Sequence, residues 1–200
     1  KILSNGKGIL AADESTGTMT KRLEAVNVKS TQENRLLFRE TLFSSESMKK
    51  CIGGVILYDE TIRQNAKDGT PFIDILNDKG IMPGIKVDMG AKPLAGSSGE
   101  TVTEGLDGLS KRIADYAKLG AKFAKWRAVI TIGSNIPSQM CIDANAHALG
   151  RYAKICQEEG VVPIVEPEVL MDGDHNIDKC YEVTNKVLSE CYKELLLHNI

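Results

Sequence analysis

The sequence predicts an α/β protein built as a parallel (β/α)8 TIM barrel, of which this chain holds only part. Three observations lead there. Strand-length apolar runs alternate with amphipathic helical runs, a glycine followed by a strand recurs every forty residues, and the ends of the strands carry charges.

The recurrence is clearest at three junctions, LNDKG-IMPGIKVD, YAKLG-AKFAKWRAVI and CQEEG-VVPIVEPEVL, whose glycines are Gly80, Gly120 and Gly160. Glycine just past a helix takes the left-handed conformation without a steric penalty. Forty residues is the size of one strand-helix unit. Two earlier runs complete the series: Gly8 to Asp13, and Ile52 to Asp59. Being almost continuously apolar, they are expected to be buried on both faces. Between the strands, Ser30 with Glu33 reads as a capping box before Leu36 and Leu37. Leu106 to Leu119, Ser138 to Glu159 and Ile177 to Leu197 read as amphipathic helices.

Alternating strands and helices form either an open doubly wound sheet or a closed barrel, and the strand ends decide between them. Asp13 ends the first strand and Asp59 the second. Lys86 and Asp88 lie on the third, Lys125 and Arg127 on the fourth, Glu166 and Glu168 on the fifth. Each of the last three pairs is separated by one residue, so both members face the same side of the strand. A one-residue slip would reverse any single pair. Three pairs, each five to eight residues after its glycine, point instead to charges gathered at one rim of a barrel. An open sheet would announce its site with a glycine-rich loop, and neither G-x-G-x-x-G after the first strand nor a G-x-x-x-x-G-K-[ST] loop occurs.

Composition narrows the partners. Twenty-five Lys plus Arg against 27 Asp plus Glu give a net charge of −2. No global field therefore exists to draw in nucleic acid or an anionic membrane, and no nucleic-acid partner is expected. With 42% apolar residues over 200 positions, a substantial core can form in one domain spanning residues 1–200. The five cysteines lack C-x-x-C spacing and suit a reducing compartment. The absence of a signal-like or membrane-spanning run suggests the cytoplasm. The chain opens at Lys1 without Met, so it is expected to be truncated at its front.

The rim charges define a chemistry. Lys86, Lys125 and Arg127 stand against Asp13, Asp88, Glu166 and Glu168, one cation short of balance, which suggests a further lysine from a strand outside this sequence. Lysines crowded by other cations shed protons more easily, and a neutral amine attacks a carbonyl to form an imine. The same cations attract phosphate, and the carboxylates can move protons between amine, carbinolamine and imine. A carbonyl-bearing anionic substrate is expected.

The stretches GILAADESTGT, GVILYDET, PGIKVD, GLDGLSKR, GAKFAKWR and VPIVEPEVLMDGDH, in this order, resemble the class I (Schiff-base) fructose-bisphosphate aldolases. The resemblance implies a lyase of glycolysis and gluconeogenesis that reversibly cleaves fructose 1,6-bisphosphate to dihydroxyacetone phosphate and glyceraldehyde 3-phosphate, with no cofactor and no metal. It implies catalytic roles for Asp13 in C–C bond cleavage, Lys125 in carbinolamine formation, Glu166 in its dehydration and Glu168 in ordering the lysines. It places Lys86, Arg127, Ser15, Thr18 and Arg22 at the substrate. Thr18 stands where serine is expected and Met89 where the family often has a cation or small polar residue. The resemblance sets the Schiff-base lysine on a sixth strand beyond Ile200, with strands six to eight likewise absent. The 200 residues alone are therefore expected to lack aldol cleavage. A homotetramer and a cytoskeletal partner are also implied. Competing readings are another lysine-imine barrel aldolase, such as a transaldolase-like enzyme, and a non-catalytic scaffold.

Four weaker signals are set against plainer explanations. Asp172 to Asp178 resembles a calcium loop but has Ile177 and Val183 where Gly and Glu are required, so a turn that caps the next helix is expected. His147, His175 and His198 show no zinc-type spacing. Ala95 to Glu100 reads as a loop covering the mouth or as a plain connection. Trp126 alternates with Lys125 and Arg127 and should lie in the core.

Overall fold

The computed structural model describes residues 1–200. A short 3₁₀ turn at Ser4–Gly6 precedes β1 (Gly8–Ala12), followed by α1 (Thr16–Glu24), α2 (Gln32–Ser44), α3 (Met48–Cys51), β2 (Ile52–Leu57), α4 (Asp59–Ile62) and α5 (Phe72–Asp78). Next come β3 (Met82–Lys86), β4 (Ala91–Pro93), β5 (Thr101–Thr103), α6 (Leu109–Leu119), β6 (Phe123–Ile130), α7 (Gln139–Glu158), β7 (Val162–Val169) and α8 (Ile177–Leu197). The main sheet has strand order β1-β2-β3-β6-β7, and β4 pairs antiparallel with β5. These are the expected five strand-helix units with one addition, the β4–β5 hairpin. No helix is long and apolar enough to cross a membrane.

The residues cluster into two compact units, Lys1–Lys86 with Asp115–Ala124, and Val87–Ala114 with Lys125–Ile200. In the first, β1, β2 and β3 run parallel, with Ala12 opposite Leu57 and Leu57 opposite Ile85. The register slips between Gly8 and Ile9, where Gly53 is the extra residue. Its hydrogen faces the Ile2 backbone so closely that a Cβ would sit 1.8 Å from the Ile2 carbonyl oxygen. A Cβ at Gly84 would lie 2.3 Å from the Phe123 ring. Glycine inside these strands thus marks where backbone and an aromatic ring close on the sheet. The ring of Phe43 from α2 meets Phe72 of α5 edge to face at 5.2 Å, and both are fully buried. Each buried ring contributes about 1.5–3 kcal/mol from its removal from water.

The core of the second unit is Trp126 of β6 against Tyr152 of α7, ring centroids 5.5 Å apart, with Leu149, Ala153, Cys156 and Val161 also buried. Trp126 lies in the core as expected. The hairpin is tied down by Thr103, whose hydroxyl donates to the Arg127 carbonyl at 2.9 Å, and by buried Asn145 of α7. Asn145 accepts from the Thr103 N–H at 3.1 Å and donates to the Thr101 carbonyl at 2.9 Å.

Several local expectations need correction. The cap of α2 is Thr31, which accepts from the Asn34 N–H; Ser30 instead takes bonds from Thr20 and Arg35. β1 is not buried on both faces: Ile9 and Ala11, which share one face, are exposed, while Leu10 and Ala12 on the other are half-buried and buried. Asp59 does not end β2. The strand stops at Leu57 and Asp59 opens α4, where it binds Arg63 one turn on at 2.9 Å and accepts from the Tyr116 hydroxyl at 2.8 Å. By contrast, the turn before α8 caps that helix as expected, through Asn176, which accepts from the Lys179 N–H.

Candidate active site

β6 sets the geometry of the second unit's site. Its residues alternate strictly, with Ala124, Trp126 and Ala128 buried while Lys125, Arg127 and Val129 are partly exposed. Period two therefore puts Lys125 and Arg127 on one face. Two glutamates of β7, also separated by one residue, meet them. The Lys125 Nζ lies 3.3 Å from a Glu166 carboxylate oxygen, and Arg127 pairs with Glu168 through both Nε and Nη2. Matching partners two residues apart on both strands form a short ladder of opposite charges, each rung electrically balanced. Both rungs remain wet: Lys125 and Glu166 are 14% and 33% exposed, Arg127 and Glu168 41% and 37%. A half-exposed pair can release its cation to an incoming anion at less cost than a sealed pair.

Asp88, which follows β3, turns toward the backbone. It accepts from the Gly90 N–H at 3.0 Å and from the Arg127 N–H at 3.4 Å, so it helps fix the strand that presents Arg127.

In the first unit, Asp13 follows β1 and Lys86 ends β3, each half-buried. Ser15 caps α1, accepting from the Thr18 N–H at 3.3 Å, and its hydroxyl lies 3.1 Å from that of Thr18. The two hydroxyls share the first turn of a helix, where backbone N–H groups favour an anion. Arg22 is exposed and engages Glu14.

The loop between β1 and α1 is held by a residue that sequence reasoning missed. Arg39 of α2, 2% exposed, donates to the carbonyls of Ala12 at 3.2 Å and Glu14 at 3.0 Å, and pairs with the Glu14 carboxylate at 3.2 Å. Burial lowers its pKa, and Glu14 opposes that shift. Its place in the apolar face of α2 was the available signal. Glu100 was missed as well. It is 4% exposed and accepts from the Ser97 hydroxyl at 2.5 Å and from the hydroxyl and N–H of Ser138, both at 2.7 Å, at the start of α7. The Ala95–Glu100 loop is therefore anchored at its end.

The class is that of the (β/α) barrels: Lys86 ends β3, while, contrary to the expectation of strand-end charges, Lys125 and Arg127 lie within β6 and Glu166 within β7. Comparison with known proteins makes this specific. The family model for class-I fructose-bisphosphate aldolase matches residues 1–200, and the chain belongs to that family. It is 58% identical over 201 residues to the aldolase C of Carassius auratus, covering all of this chain and 55% of that protein. It is 57% identical over 199 residues to a probable class 1 aldolase of Xanthomonas campestris, covering all of this chain and 60% of the relative. A solved aldolase of Plasmodium falciparum, in complex with TRAP and a small-molecule inhibitor, superposes with a TM-score of 0.95 at 46% identity, over 97% of this chain and 56% of that one. The chain thus spans little more than half the length of the relatives it matches.

Proposed function

We propose that the protein catalyses the reversible aldol cleavage of fructose 1,6-bisphosphate to dihydroxyacetone phosphate and glyceraldehyde 3-phosphate through a lysine imine. The observation that carries this reading is the β6–β7 ladder: Lys125 3.3 Å from Glu166, with Arg127 and Glu168 beside it. Loss of hydroxide from a carbinolamine needs an acid at the leaving oxygen, and Glu166, able to exchange a proton with Lys125, fits that role. Lys125 assists addition of the imine-forming amine, which the family resemblance assigns to a lysine beyond Ile200. Glu168 holds Arg127 in place; Arg127 offers positive charge to a phosphate, and Lys86 is a second cation assigned to the substrate by the family resemblance. Asp13 takes the proton of the substrate hydroxyl when the C–C bond breaks. Ser15 and Thr18 offer hydroxyls to a phosphate at the start of α1, and Arg22 flanks them.

The same reading takes the cytoplasm as the place of action, as the name of the cytosolic Arabidopsis thaliana relative suggests. It also includes a homo-oligomer and protein partners such as the cytoskeleton.

The test uses the intact protein. Borohydride with dihydroxyacetone phosphate should trap a stable secondary amine in the wild type. Glu166→Gln should keep substrate binding while kcat falls roughly 10²–10⁴-fold, the range for loss of one acid–base group. Absence of any trapped adduct, or full turnover by Glu166→Gln, would reject the mechanism.

A further inference from the structure

The end of α8 lies against α7, and a second cluster with metal-binding chemistry sits there, made by residues the aldol reaction does not use. Glu194 and His198 are four residues apart at the end of α8, so they project from one face. His147 of α7 meets them. Its Nδ1 is 3.1 Å from a Glu194 carboxylate oxygen, the His198 Nδ1 is 3.7 Å from the same oxygen, and the two imidazole rings are 5.5 Å apart. One donor atom from each of the three residues lies within 4.8 Å of the others.

This close approach has a local cause. Gly150 lies inside α7, where glycine is destabilising relative to alanine. A Cβ there would sit 2.9 Å from the His198 Nδ1 and 3.3 Å from the Glu194 Cβ. The missing side chain lets the last turn of α8 settle onto α7, one helical turn from His147. The His198 ring is held by its own helix. Its Nδ1 is 2.8 Å from the Glu194 carbonyl, which can only accept, so Nδ1 carries the proton and Nε2 keeps its lone pair.

We propose that His147, Glu194 and His198 bind a divalent transition-metal ion such as Zn2+, which clamps the end of α8 to α7. Two imidazoles and a carboxylate match the three-ligand zinc set and leave a fourth position for water. Metal–ligand bonds near 2.0–2.2 Å in a tetrahedron place donors about 3.4 Å apart; the His147 Nδ1 and the Glu194 oxygen stand 3.1 Å apart, and rotation of the His198 ring brings its Nε2 to the third position. The nitrogen donors favour zinc, cobalt or nickel over calcium or magnesium. Glu194 and His198 are 20% and 23% exposed while His147 is 55% exposed, which gives the ion a route in from solvent.

Co2+ is the probe, because nitrogen and oxygen ligands give visible d–d bands whereas thiolates add near-ultraviolet charge-transfer bands that would report cysteine binding. Titration of the metal-free intact protein should give the d–d bands of one ion per chain, without the sulfur bands. His147→Ala and His198→Ala should each weaken binding by about tenfold or more, taking the smallest losses seen for supporting residues as a floor. Cys51→Ser should leave binding unchanged. Zn2+ should raise the thermal midpoint of the wild type and not that of His147→Ala, whose native fold is checked by circular dichroism. Sulfur-dominated spectra, or cobalt affinity equal in wild type and both histidine variants, would overturn the site.

Discussion

Arg39 and Arg127 are each paired with a glutamate, yet Arg39 is 2% exposed and Glu14 10%, whereas Arg127 and Glu168 are 41% and 37% exposed. Arg39 also donates to two carbonyls of the loop that carries Asp13 and Ser15, so its guanidinium is committed to holding the backbone. Arg127 reaches only across to the neighbouring strand and stays in contact with water. An ion pair's role follows from its solvation: a buried pair fixes a loop, while a wet pair can open to admit an anion.

The largest effect should come from breaking the buried pair. Arg39→Ala leaves the Ala12 and Glu14 carbonyls without their donor in a nearly dry site and Arg22 as the remaining cation on Glu14, and should cost about 1–3 kcal/mol of unfolding free energy for each carbonyl. Urea denaturation measures it. A loss below about 1 kcal/mol would mean that water reaches the site and that the contrast with Arg127 is false.

Glu100 tests the same contrast with an anion. It is buried, but hydrogen bonds from Ser97 and Ser138 outweigh the desolvation that would raise its pKa, and the group is held below the ordinary carboxylate range. Because the folded pKa is lowered, the stabilisation is complete above the unfolded value of about 4.3. It is lost as pH falls through the folded value. Glu100→Gln should cost roughly 1.5–3 kcal/mol at neutral pH, the worth of hydrogen bonds to a charged group, and should flatten the acid limb of a stability–pH curve. An acid limb identical to that of the wild type would show that Glu100 does not titrate with folding.

These two anchors also mark how far the sequence could be read. The strands, their glycine junctions and the face shared by Lys125 and Arg127 were legible because period two and left-handed glycine act locally. The β4–β5 hairpin was not: three-residue strands, one containing Pro93, are too short to show a period, and their partners, Asn145 and the β6 backbone, are distant in sequence. Asp59 was misplaced because the apolar run of β2 gives no sign that the chain turns into a helix after Tyr58. The partners of Arg39 and the His147–Glu194–His198 cluster depend on one helix meeting another element, which spacing along a single helix cannot reveal. Of that cluster, only the four-residue interval from Glu194 to His198 was visible.

The smallest change in stability, and the sharpest test of the wet pair, belongs to Arg127. An exposed pair contributes about 0.2–1 kcal/mol once solvent screening is counted, so Arg127→Ala should barely move the denaturation midpoint. If Arg127 instead serves an incoming phosphate, the same variant should raise KM for the bisphosphate with a smaller change in kcat, because binding to substrate and transition state falls together. Arg127→Lys keeps the charge but loses the two-pronged contact with Glu168, and should fall between the two. Steady-state kinetics on the intact enzyme, beside urea denaturation of the same variants, separates the outcomes. A large stability loss with unchanged KM would place Arg127 with Arg39 as a structural anchor, and the difference in solvation between the two pairs would then carry no functional meaning.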